Sequence, residues 1–218
     1  MPTHPQTPAT ESVVDLLGML AYGELVAFDR VAVDARLAPD LRRRAQLSTM
    51  AAAEIDNYRR LVARITELGA DPQEAMRPFV DVIDAFHDST KPRNWLEGLV
   101  KAYVGDGIAD DFFREVAGLL EPDDRQLVLE VLHSDNEFAV AEITGAIADN
   151  PAVANRLALW ARRLVGEALS QAQRVAAEHD SLTMLIVQGT GDLTKVGELI
   201  KRLMQAHADR MTTVGLNN

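Results

Sequence analysis

Apolar residues recur along most of the chain at three- and four-residue intervals, the period of helices with one buried face, and nowhere alternate long enough to make a sheet. The pattern predicts helices over 10–36, 39–69, 79–88, 92–120, 122–149, 151–179 and 191–212. The prolines at 39, 72, 78, 92, 122 and 151 all stand at helix starts, where the missing N–H costs nothing. Individual caps agree with the division. Asp71 precedes Pro72, Glu121 precedes Pro122 with Asp123 and Asp124 in the following turn, Asn150 precedes Pro151, and Gly69 ends the second helix.

The first two rods are joined tightly at Leu37 to Pro39, and the fourth and fifth segments as tightly at Glu121 and Pro122, with a longer crossover from Ala70 to Lys91 between. Two antiparallel hairpins joined by one long connection is the ferritin-like arrangement of an all-α bundle, rather than the simple up-down one. The last rod carries Leu199, Ile200, Leu203 and Met204 on one face, so it caps the bundle or packs on a second copy.

Composition narrows the class further. With 218 residues, 47% of them hydrophobic and only 5% aromatic, the chain can bury one core filled by helix-forming Ala, Leu and Val. Residues 1–10, with three prolines and no apolar run, read as a disordered tail that is neither signal peptide nor anchor, and 11–218 as one helical domain. No stretch has the uninterrupted apolar length of a membrane span, so a cytoplasmic protein without a membrane partner is expected. The absence of cysteine removes disulfides, iron–sulfur clusters and thiolate sites, leaving oxygen and nitrogen as the only metal ligands. A net charge of -11 works against extended contact with a phosphate backbone; the short clusters Arg42, Arg43, Arg44 and Arg162, Arg163 read first as solvated faces.

The informative acids are those whose helical neighbours are apolar. Glu24 lies among Leu17, Leu20, Ala21, Ala27, Phe28 and Val31; Glu54 among Leu47, Met50, Ala51, Tyr58 and Leu61. Asp106 is flanked by Leu99, Ala102, Tyr103 and Phe113, with Asp110 one turn on. Glu137 has Val140 and Ala141 on one side and His133 and Ser134 on the other, and Glu167 sits near Trp160 and Leu164. Glu24, Asp106 and Glu167 each follow a glycine, which costs about 1 kcal/mol in a helix and suggests room kept beside the carboxylate.

Several bare anions do not share a core; protons, arginines such as Arg162 or Arg163, or one or two divalent cations must neutralise them. A pair of irons or manganeses in a bundle takes a Glu from each of two helices and a Glu-x-x-His from each of the other two. Glu24 and Glu54, each about four turns from their shared loop, fit the first half of that pattern. The histidines do not: Asn57 follows Glu54 at the ligand spacing, Val140 follows Glu137, and the one match, Glu130-x-x-His133, reads as an ordinary surface pair. The alternative is a hydrogen-bonded network in which Tyr22, Tyr58, Tyr103, Asn57 and Gln171 satisfy the acids.

The stretch DVIDAFHDSTKPRNWLEGLVKAYVGDGIADDFF from Asp81 to Phe113, LALWARRLVGEALSQAQRVAAEHD from Leu157 to Asp180 and HADRM from His207 to Met211 resemble actinobacterial ferritin-like proteins grouped with the tRNA isopentenyl-adenosine hydroxylases (MiaE-like). The resemblance covers most of the chain after the tail. It implies a ferritin-like bundle and, for the characterised hydroxylases, a non-haem di-iron centre that activates O2 to hydroxylate a tRNA nucleoside. By position it implies Glu24, Glu54, Asp106 and Glu137 as carboxylate ligands of iron, with Asn57 in the histidine place and Glu167 nearby. Two readings stay open: an O2-dependent hydroxylase acting on tRNA or a small apolar substrate, and a non-enzymatic member that uses the bundle for binding or assembly. A homo-oligomer, a dimer, is expected in either; metal storage in a large closed oligomer is a third.

Overall fold

The structure, a computed structural model, describes residues 10–132, 136–190 and 193–216, so the expected tail falls outside it except for Thr10. Among the described residues there are helices and no strands. Among the described residues no helix is long and apolar enough to cross a membrane.

Helix α1 (Thr10–Asp34) and helix α2 (Leu41–Glu67) form the first hairpin. A short 3-10 turn at Ala35–Leu37 ends α1, and the Asp40 side chain opens α2 by accepting from Arg43 N at 2.9 Å. Gly69, at φ 81°, takes the left-handed conformation that closes α2. The crossover carries more helix than the apolar pattern indicates: α3 (Pro72–Met76), capped by Asp71, then a 3-10 turn over Arg77–Phe79 and α4 (Val80–Ser89).

Two of the expected long rods are interrupted. The third is α5 (Trp95–Val100), a π-helical segment Lys101–Asp106, and α6 (Gly107–Ala117). The fourth, expected as one helix over 122–149, is α7 (Pro122–Val131) and α8 (Glu137–Asp149). Three helices complete the fold: α9 (Ala152–Glu178), α10 (Asp180–Thr190), which the pattern leaves unassigned, and α11 (Leu193–Thr213).

The apolar core is in two pieces. One joins Leu16, Leu17 and Leu20 of α1 with Leu61, Ile65, Phe79, Val116 and Val128. The other joins Val31 with Leu47, Leu99, Val104, Ile143, Leu157, Leu164 and Met211. Between them each rod has a short described stretch that belongs to neither: Gly23–Ala27 on α1, Ala52–Asn57 on α2, Gly105–Asp111 on the third rod, and Asn136 and Glu137 on the fourth. The candidate carboxylates lie in this layer.

Candidate functional site

The α1–α2 hairpin brings Glu24 and Glu54 side by side. Glu24 is 7% exposed, with the Glu54 carboxyl close enough to act on it. Burial above all, then the neighbouring Glu54 carboxyl and its charge, holds Glu24 well above the usual carboxylate range; the Asn57 amide opposes, and Asp110 adds to the rise.

Asn57 occupies the place where a Glu-x-x-His ligand would stand. Its amide nitrogen donates to Glu24 Oε2 at 3.2 Å and to the Val131 carbonyl at 3.0 Å. The second bond satisfies one of the open carbonyls at the end of α7, and Arg114 donates to the next, that of Leu132. The interruption of the fourth rod is thus tied to the same layer by an asparagine and an arginine.

The third rod supplies the facing acids. A π-segment inserts about one extra residue per turn and turns the following side chains round the axis, a device common at functional sites. Here it ends at Asp106, and Asp110 follows one turn later on the same face. Burial pushes Asp106 up to about 8, against the restraining charge of Lys101 and with help from Asp110, Glu54 and Asp34. Burial likewise pushes Asp110 up to about 7, with Arg114 and Arg210 opposing and Glu54 adding to the rise.

Glu24, Glu54, Asn57 and Asp106 therefore meet in one layer, joined by Asp110. Glu137 does not join them. It stands exposed in the first turn of α8, where the helix dipole favours an acid in solvent, the polar side of its mixed neighbours deciding. Glu167 lies partly buried on α9 with no hydrogen bond or ion pair to a described residue. Glu130 is exposed and bonded to Arg60 and Gln126, and its partner in the motif, His133, lies outside the described residues. Of the expected network, Asn57 reaches a core acid, while Tyr22 donates instead to Asp84 at 3.0 Å.

The glycines also behave differently from expectation. Nothing stands within 4 Å of where a Cβ would be at Gly23 or Gly166, and at Gly105 the nearest atom, at 3.6 Å, is in ordinary contact, so no carboxylate or other group requires glycine there. The tight ones are Gly18, whose Cβ would meet Ala75 O at 2.2 Å, and Gly107, under the Arg210 guanidinium.

Of the histidines, His87 lines a small cavity that Asp106 also borders, His179 lies against Phe79 at 4.6 Å between ring centres, and His207 is buried on α11. Among the described residues no three His, Asp or Glu side chains converge closely enough to hold a metal ion. The donors present, with an amide at position 57 that offers N–H rather than a lone pair to Glu24, do not fit the two-iron pattern.

A family model described as a ferritin-like domain of actinomycetes matches residues 8–189. No curated protein matches the chain.

Proposed function

The chain belongs to the actinomycete ferritin-like domain family, and on that premise we propose that its bundle is a binding or assembly module whose core acids are held by protons and hydrogen bonds rather than by a pair of irons. The observation that carries the reading is the Asn57 amide, which stands where a ligating histidine would and donates to the buried Glu24 carboxyl at 3.2 Å. A proton does there what a cation would do, removing the repulsion between two buried anions.

A protonated carboxyl is imitated by an amide, whereas a ligating carboxylate is not. Protein purified from iron-supplemented cells is expected to contain no stoichiometric metal, and Glu24→Gln to keep the fold within about 1 kcal/mol of the wild type, with no effect of chelator on either. About two irons per chain, lost in both Glu24→Gln and Glu54→Gln, would overturn the reading.

The second reading is the di-iron hydroxylase, acting on a tRNA nucleoside or a small apolar substrate. It is favoured by the convergence of Asp106 and Asp110 on the Glu24–Glu54 pair and by the π-segment at that level. Iron content followed by an O2-dependent assay on tRNA nucleosides separates the two.

A further inference from the structure

Charge is unevenly distributed along the bundle. Residues 30–46, 88–101 and 138–163 hold 11 of the chain's 22 lysines and arginines but 6 of its 33 aspartates and glutamates. Contacts gather these three segments at one end. Asp34 Oδ2 stands 3.5 Å from the Cβ position of Gly98, Trp160 Nε1 donates to Glu97 O at 2.9 Å, and Arg43 Nε donates to Glu142 Oε2 at 2.6 Å. On a chain of net charge -11, this end is positive.

Most of its acids are already engaged. Arg43 pairs with Asp40 as well as Glu142, Arg30 and Lys91 pair with Asp88, and the buried Glu97 accepts from the Arg93 backbone N–H. Lys101 is buried and is not part of the surface. Arg36, Arg42, Arg44, Arg93 and Arg156 are exposed, and their side chains have no hydrogen-bond or ion-pair partner among the described residues. Against these five cations stands Asp149, exposed at the end of α8.

Apolar side chains stand among the cations. The turn from α1 into α2 carries Val33, Leu37 and Leu41, exposed by 45%, 38% and 80%, interleaved with Arg36, Arg42 and Arg44. Leu41 does not serve the helix start, since the Asp40 cap is made to Arg43 N. A phosphate backbone would reward the arginines and not the leucines. An anionic lipid surface rewards both: headgroup phosphates take the guanidinium groups, the leucines enter the acyl boundary, and no matching groove is needed for a hairpin tip. The apolar stems of the arginines can lie along lipid while their heads stay at phosphate level.

We propose that this end of the bundle docks on an anionic lipid surface, with Leu37 and Leu41 entering the headgroup boundary and Arg36, Arg42 and Arg44 taking the phosphates. Such contact is peripheral and needs no spanning helix. The inference rests on the proposed binding module and deepens it by naming what is bound.

The test is co-sedimentation of the full chain at low salt with vesicles of equal parts phosphatidylglycerol and phosphatidylcholine, beside vesicles of phosphatidylcholine alone. Binding to the anionic vesicles only is expected. Arg42→Gln with Arg44→Gln should weaken it about thirtyfold, and Leu41→Ser, which leaves the charge unchanged, about tenfold. Arg125→Gln, on α7 at the opposite end, should leave it unchanged. All four positions are exposed, so the variants should keep the wild-type thermal melt. No binding to the anionic vesicles overturns the proposal, as does an equal loss in Arg125→Gln. Binding that Leu41→Ser leaves intact overturns it too; if total RNA then displaces the vesicles, the end belongs to a phosphate backbone. Two irons in the core would defeat the proposed binding module and leave the vesicle result standing, whereas failed docking would leave the core reading untouched.

Discussion

Asn57 stands between Glu24 and the end of α7, giving its amide nitrogen to Glu24 Oε2 at 3.2 Å and to Val131 O at 3.0 Å. One side chain thus closes the acid pair and caps a broken rod. Asn57→Leu leaves both acceptors without their donor, so the expected loss is about 1–3 kcal/mol, read by urea denaturation. Asn57→Asp should be worse, because it adds a third carboxylate to the pair. A variant as stable as wild type would mean that solvent takes over both bonds.

The raised acids give stability a slope with pH. Asp106 at about 8 and Asp110 at about 7, with Glu24 also raised, hold protons in the folded chain that the unfolded chain releases near pH 4. Their contribution is complete below the unfolded pKa and is lost as pH rises through the folded one. His87, driven down to about 3, works in the opposite sense, but only below its unfolded pKa near 6.5. Between pH 6.5 and 8 nothing among these groups opposes the acids, so the melting temperature should fall across that window. Asp106→Asn and Asp110→Asn should flatten the fall, and an unchanged slope in both would contradict the assignment.

Two glycines on α1 should respond in opposite ways to the same substitution. Gly18→Ala drives a methyl into the Ala75 backbone, whose carbonyl oxygen is 2.2 Å from the Cβ position, so α1 and α3 must separate. Gly23→Ala meets nothing within 4 Å and removes the helix penalty of glycine, about 1 kcal/mol. Thermal melts should therefore show Gly18→Ala less stable and Gly23→Ala more stable than wild type. Equal effects would mean that α3 does not press on α1.

These glycines also mark what was legible in the sequence. The apolar stripes and the prolines are local signals, and they give the first hairpin, the crossover and the ferritin-like order. Glu24 and Glu54 were legible for the same reason, since each lies among apolar neighbours on its own helix. The interruptions were not. Nothing in KAYVGD marks a π-segment, and the break after Leu132 depends on Asn57 and Arg114, which come from other rods. A continuous fourth rod puts Glu137 mid-helix, whereas it begins a new helix. Lys101 escaped because a lysine five residues before an aspartate carries no burial signal; only the fold encloses it.

The last helix lies beyond the region matched to the family, residues 8–189, yet it is built into the core. Met211 and Val214 are 0% exposed and pack with Leu99, Ile143 and Leu157. Beside them Arg210 lies over Gly107, where only a missing side chain admits the guanidinium, and pairs with Asp111 at 2.6 Å. Helix α11 thereby fastens α6 just after the π-segment, next to Asp110. Met211→Ala should cost about 2–5 kcal/mol as a core truncation. Ile200→Ser, on the same helix but 53% exposed, should stay within about 0.5 kcal/mol of wild type. If both substitutions were neutral, α11 would be an appendage, and the anchoring of the third rod would have to come from α7, α8 and α9.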